Sequence, residues 1–181
     1  MRFTPTAIDG VTVIELDPIE DDRGSFARTF CEEEFEKAGI SMRVRQADIS
    51  HNARAFTLRG LHYQAHPHWE PKLVQCVRGR IWDVAVDLRP ESETYRRWAG
   101  VELSPGLGRL FYVPRGCAHG FLTLEDDSDV AYLMGEAHAP GAGRGLRWDD
   151  PAFGIAWPAA PAHISERDAA YPDHQPGGGD L

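Results

Sequence analysis

The sequence predicts an all-β fold, an antiparallel sandwich or barrel with one or two short helices, on three observations. Apolar and β-branched runs of strand length recur along the whole chain. Gly, Pro and Asp clusters punctuate them about every 8 to 12 residues, and helical periodicity is almost absent. The 181 residues amount to one domain and can bury a full core without disulfide or metal staples.

Taken in order, the first strand is VTVIEL, residues 11–16. The helix candidate CEEEFEKAG, residues 31–39, follows, with acids in its first turn, Lys37 in its last and Gly39 positioned to cap it. LRGLHYQ, residues 58–64, reads as a strand with Leu58, Gly60, His62 and Gln64 on one face and Arg59, Leu61 and Tyr63 on the other. KLVQCV and IWDVAVDL flank Arg78-Gly79-Arg80, so residues 72–88 are expected to form a hairpin whose Gly79 supplies a positive φ. RLFYV, HGFLTL and DVAYLM complete the set. The expected organisation is a single domain over residues 1–170. A disordered tail, residues 171–181, should follow, since DHQPGGGDL buries too little apolar surface to offset its ordering entropy.

The formal charge of -9 repels nucleic-acid phosphate, and no block of five or more Lys and Arg offsets it, so no nucleic-acid partner is expected. No run approaches the ~18 apolar residues of a membrane span. The opening MRFTPTAIDG lacks a secretory pattern, so a soluble cytoplasmic protein is expected. Cys31, Cys76 and Cys117 are odd in number and widely spaced, against both a disulfide framework and a thiolate zinc site. Arginine supplies all the basic residues except Lys37 and Lys72.

Chemistry could reside at three positions. His62 is polar inside a strand, where a lone histidine is ordinarily a satisfied core residue. Lys72 opens an apolar strand, and an inward-facing ammonium needs an anion or a carbonyl oxygen opposite it, whereas an outward one merely guards an edge. His119 lies in PRGCAHGF after a strand, where a surface turn is the plain alternative. His66 and His68 flank Pro67 in a loop and read as solvated.

PRGCAH fits the PxGxxH part of the second motif of the cupin superfamily, so the barrel resembles a cupin jelly roll. The superfamily's metal set is broken: His62-Tyr63-Gln64 replaces HxH, and Thr123 stands where an Asn ligand belongs. Hydroxyl and amide groups are poor substitutes for imidazole and carboxylate on a transition metal, so no metal and no cofactor are expected.

The segments DDRGSF, LRGLHYQ, PKLVQCVRG, DVAVDLRP, PRGCAHGF, RWDDP, IAWP and SERD occur in the order found in the dTDP-4-dehydrorhamnose 3,5-epimerase family, which the chain resembles over about residues 10–170. The resemblance implies a cofactor-free isomerase that inverts C3 and C5, or C3 alone, of a dTDP-4-keto-6-deoxyhexose in deoxysugar biosynthesis. It places the base on His62 oriented by Asp168, the acid on Tyr132 and a cation for the enolate oxygen on Lys72. Substrate binding falls by the same resemblance to Arg23, Phe26, Arg28, Gln46, Asp48, Arg59, His119, Trp148 and Arg167. For Phe26, Trp148 and Tyr132, ordinary packing is the alternative. By parity Arg59 faces away from His62, so its assignment requires a bulge at Gly60 or a contact elsewhere.

The chain departs from the rhamnose-pathway pattern where Arg28 replaces a Glu, Asp48 an Asn, Gly143 a Glu, and Ala137-His138 an aromatic pair. The resemblance also implies a homodimer exchanging N-terminal strands. Three other readings are a 3,4-ketoisomerase on the same barrel, a non-catalytic sugar-nucleotide binding module and a metal-dependent oxygenase.

Overall fold

The computed structural model describes residues 1–175, and residues 176–181 of the expected tail lie outside the described residues. In chain order the elements are β1 (Arg2–Pro5), β2 (Thr12–Glu15), β3 (Ile19–Asp21), β4 (Gly24–Phe26), α1 (Glu32–Lys37), β5 (Gln46–Asn52), β6 (Thr57–Gln64) and β7 (Lys72–Arg78). They continue with β8 (Ile81–Asp87), β9 (Trp98–Leu103), β10 (Arg109–Val113), β11 (Cys117–Thr123), β12 (Ser128–Met134), β13 (Gly143–Gly145), β14 (His163–Ile164) and α2 (Glu166–Ala169). No described helix is long and apolar enough to cross a membrane.

The strands form two facing sheets, an all-β architecture in keeping with the cupin-type expectation. One runs β1-β2-β10-β7-β12-β5, the other β13-β6-β11-β8-β9, and all these neighbours are antiparallel. Only β14 adds in parallel, alongside β6. Period-two alternation distributes the core into three layers. Val74, Cys76, Ile81, Ala85, Phe121 and Val130 meet between the sheets. Leu73 points out to a second cluster beneath α1, and Val84 and Val86 to a third on the opposite outer face.

α1 has no side-chain cap at Cys31, and what holds it is Phe35, fully buried against Phe3, Phe30 and Tyr112 at centroid distances of 5.3, 4.9 and 6.5 Å. Burying that ring contributes roughly 1.5–3 kcal/mol. Gly39, at φ 79, lies just past the helix and lets the Ile40 N–H return to the Phe35 carbonyl at 2.8 Å.

One expectation is corrected. Residues 72–88 do not form a hairpin: β7 lies between β10 and β12, and β8 between β11 and β9, so the turn crosses from sheet to sheet. Gly79 does take a positive φ of 72, and a side chain there would run into Ser128, whose hydroxyl accepts the Arg80 N–H at 3.3 Å. Residues 171–175 of the expected tail have partners in the body of the fold. Tyr171 packs on Gly145, while His174 lies on Phe153 at 5.2 Å and hydrogen-bonds the Tyr95 hydroxyl at 2.9 Å. Two aromatic side chains anchor a stretch whose composition reads as unstructured. β3 and β4 pair only with each other among the described residues and stand out with Ile19 73% and Phe26 75% exposed.

Candidate active site

At one end of the space between the sheets the apolar core gives way to a cavity of about 540 Å³. Arg59, His62, Glu70, Lys72, His119, Tyr132 and Asp168 are among the residues lining it. Lys72 precedes Val74 and Cys76 by the strand period, His119 precedes Phe121, and Tyr132 follows Val130, so the alternation that fills the core also aims these polar groups inward.

β6 requires a departure from that alternation. His119 of β11 pairs with His62, but Phe121 pairs with Arg59, so three steps on β6 match two on β11. The extra residue is a bulge at Gly60-Leu61, and it brings Arg59 and His62 to the same cavity, correcting the simple parity reading. Gly60 has φ 117, and a Cβ there would lie 2.6 Å from Gly120 Cα. Only glycine on each strand allows the two backbones to approach this closely.

His62, 41% exposed at its side chain, places Nε2 2.8 Å from Asp168 Oδ1. The other Asp168 oxygen accepts the Gly60 N–H at 3.2 Å, and the Asp168 N–H donates to Ser165 Oγ, which caps α2, at 3.1 Å. Burial pushes the Asp168 carboxyl up, but the hydrogen bond and charge of His62, with the Gly60 N–H, hold it below its ordinary 3.8. With Nε2 committed to the carboxylate, Nδ1 is the nitrogen left to take a proton.

Lys72 is buried, with Nζ 2.8 Å from Glu70 Oε1 and donating to the His62 carbonyl at 3.3 Å. His119 forms a second buried pair, Nε2 to Asp83 Oδ1 at 2.7 Å, and its ring meets that of Tyr132 edge-on at 5.9 Å. Burial pushes the Asp83 carboxyl up against the pull of His119 and Lys72, and its second oxygen has no partner among the described residues. Burial also raises the Tyr132 phenol well above 10, so it keeps its proton at neutral pH. Arg59 donates through Nε to Asn52 Oδ1 at 2.7 Å and through its terminal nitrogen to the His51 carbonyl at 3.4 Å. Both acceptors are neutral, and among the described residues no carboxylate pairs with the guanidinium at the cavity wall.

Six expected site residues therefore meet around one cavity: His62, Asp168, Lys72, Tyr132, Arg59 and His119. The others do not line it within one chain. Arg23 and Phe26 sit on the protruding β3–β4 hairpin, with Arg23 paired to Asp21. Arg28 is bound to Glu34 at 2.6 Å near α1. Gln46 and Asp48 bond each other at 2.6 Å on edge strand β5, Asp48 directly across from Tyr132. Trp148 lies in the loop where its carbonyl accepts from Trp157, and Arg167 is on the outer side of α2, over the Tyr171 ring at 5.8 Å. Sequence reasoning missed Glu70 and Asp83. Asp83 left a signal, a lone acid inside an apolar strand; Glu70, in a loop before Pro71, left none.

Among the described residues no group of three or more His, Cys, Asp or Glu is arranged to hold a metal ion. Burial pushes the Cys76 thiol to about 11 and that of Cys117 to about 12, so neither is a thiolate nucleophile at neutral pH.

A sequence profile described as dTDP-4-dehydrorhamnose 3,5-epimerase matches residues 5–175. The protein of that name from Methanothermobacter thermautotrophicus is 44% identical over 170 residues, covering 92% of this chain and 91% of its own. The crystal structure of dTDP-4-dehydrorhamnose 3,5-epimerase from Bacillus anthracis with TDP and PPi bound superposes with a TM-score of 0.92 at 34% identity, over 96% of this chain and 99% of that one. ChmJ, a 3'-monoepimerase from Streptomyces bikiniensis in complex with dTDP-quinovose, matches with a TM-score of 0.86 at 33% identity, over 93% and 86% of the two chains.

Proposed function

Because this chain belongs to the dTDP-4-dehydrorhamnose 3,5-epimerase family of isomerases, we propose that it epimerises a dTDP-4-keto-6-deoxyhexose by enolisation in the cavity described above. The observation that carries the reading is the convergence of the His62–Asp168 pair, Lys72 and Tyr132 on one cavity.

The roles follow from the chemistry of a C–H bond beside a ketone. His62 Nδ1 removes the proton from C3 or C5, and the bond's electron pair moves into the enolate, placing charge on the C4 oxygen. Asp168 stabilises the imidazolium so formed. Lys72 meets the oxygen with a compact positive charge, which limits the cost of the enolate. Tyr132 then gives its proton to the opposite face of the carbon, inverting it, and solvent exchange resets both groups. Arg59, its charge met by neutral acceptors alone among the described residues, is suited to the diphosphate despite the acidic total of the chain.

The test is incubation with dTDP-4-keto-6-deoxyglucose in D2O, following the sugar protons by NMR. Deuterium at C3 and C5 is expected, with none in His62→Ala. Tyr132→Phe should retain exchange and impair net inversion. An unaltered His62→Ala enzyme would overturn the assignment. The likeness to a 3'-monoepimerase supports a second reading, inversion at C3 alone, which the same spectra distinguish by exchange at C5.

Arg23 and Phe26 enter this reading through a second copy of the chain. The β3–β4 hairpin pairs with no other described strand and exposes two large apolar side chains, so we read it as reaching across a homodimer to complete the neighbouring cavity. Sedimentation should show a dimer that Phe26→Asp weakens; a monomer at all concentrations would refute this.

A further inference from the structure

We propose that Glu70 is a positioning residue of this site: it fixes the Lys72 ammonium so that one N–H remains for the oxygen on which enolate charge develops. The inference rests on the epimerase reading above and adds a residue that neither the sequence pattern nor the chemistry of the base and acid points to.

The argument is a count of donors and acceptors. An ammonium has three N–H bonds and no acceptor. At Lys72 one goes to Glu70 Oε1 at 2.8 Å and a second to the His62 carbonyl at 3.3 Å. Among the described residues nothing takes the third, and Lys72 lines the cavity. Two fixed bonds define the direction of the third, whereas an ammonium on a four-carbon stem with one partner would sweep a cone.

Glu70 is itself held. Its second oxygen accepts from Gln64 Nε2 at 2.9 Å, so both carboxylate oxygens are engaged. Gln64 is buried and cannot turn over, because its Oε1 accepts the Ala139 N–H at 2.7 Å while Nε2 also lies 3.2 Å from the carbonyls of His68 and Ala137. Rigidity therefore runs from β6 through Gln64 and Glu70 to Lys72. A carboxylate suits this place better than an amide. Two donors, Lys72 and Gln64, approach the same group, and an amide could accept from only one while turning its NH2 on the other. The carboxylate also compensates a buried ammonium that would otherwise pay the full cost of desolvation. With the pair neutral before reaction, the remaining N–H acts on charge that appears only as the proton leaves.

The experiment compares Glu70→Leu, Glu70→Gln, Lys72→Ala and the Glu70→Leu/Lys72→Ala double variant in the D2O assay. Glu70→Leu should lower kcat on the order of 10- to 100-fold with KM within about threefold, and Glu70→Gln, which keeps one acceptor, should lose less. Added to Lys72→Ala, Glu70→Leu should cost nothing further, because its effect is exerted through the amine. An independent reading comes from the two-lysine composition: in a protein labelled with ¹⁵N-lysine, the ammonium signals belong to Lys37 and Lys72 alone. The Lys72 signal should be visible in the parent, persist in Glu70→Gln and vanish by fast proton exchange in Glu70→Leu. A Glu70→Leu loss as large on the Lys72→Ala background as on the parent, a rise in KM with kcat kept, or a Lys72 signal indifferent to Glu70→Leu would each overturn the proposal. An inert parent enzyme would count against the epimerase reading alone, since the ammonium signal reports the hold on Lys72 without substrate.

Discussion

Replacing Asp168 by Asn tests the base assignment through a single proton. The Gly60 N–H donates to Asp168 Oδ2 at 3.2 Å while His62 Nε2 lies 2.8 Å from Oδ1. An asparagine must offer its oxygen to one of these groups and its NH2 to the other. Gly60 is main chain and can only donate, so turning the NH2 toward it would leave a buried N–H unsatisfied at about 1–3 kcal/mol. The side chain therefore gives its oxygen to Gly60 and its NH2 to His62. That forces Nε2 to accept and moves the imidazole proton to Nδ1, the nitrogen that must be bare to act as base. The variant keeps the shape of the site and loses the tautomer. General-base catalysis contributes roughly 10²–10⁴ in rate, or about 2.7–5.5 kcal/mol, and this is the expected loss of kcat with KM little changed. Exchange at C3 and C5 in D2O, read by NMR beside a thermal melt, measures it. An Asp168→Asn enzyme that exchanges either proton within about threefold of the parent, while correctly folded, would refute the reasoning.

Three further outcomes are expected. Asp168 titrates below its ordinary 3.8 in the folded protein, so the stability it contributes is complete above that value and lost as pH falls through the lower folded one. Melting temperatures recorded between about pH 5 and 2 should therefore fall less steeply in Asp168→Asn than in the parent. Gly60→Ala, with φ 117 and a Cβ 2.6 Å from Gly120 Cα, sets backbone against backbone and should cost about 2–4 kcal/mol in urea unfolding. Phe35→Ala should lower stability by about 3–5 kcal/mol on calorimetry yet leave exchange kinetics at 25 °C intact, because α1 lies on the outer face of its sheet.

The strands that carry the site were legible because their period-two pattern survives in the letters: Lys72, Val74 and Cys76 alternate inward, and so do Val130 and Tyr132. The sheet to which each strand belongs was not. Arg78-Gly79-Arg80 has the residues of a tight turn whether it closes a hairpin or crosses between layers, and only the competition for partners by β10, β11 and β12 decides. The disagreement between parity and the expected place of Arg59 left a bulge at Gly60 or a contact elsewhere, and no local preference in the sequence chose between them. The contacts of residues 171–175 could not be read from composition, which averages over a window, whereas Tyr171 and His174 act individually by fitting against Gly145 and Phe153. Glu70 was invisible for a similar reason: its significance depends on Gln64 and Lys72 converging on it in space.

His62 belongs to two circuits that are chemically separate. Its imidazole answers to Asp168, while its main-chain carbonyl anchors Lys72. Every amino acid brings the same carbonyl, so a substitution at this position removes the imidazole and leaves the anchor of the Lys72 ammonium. The scaffold is modular at that point. On the roles proposed above, one codon exchanges the proton acceptor while the hydrogen bond that holds the Lys72 ammonium to the main chain stays in place.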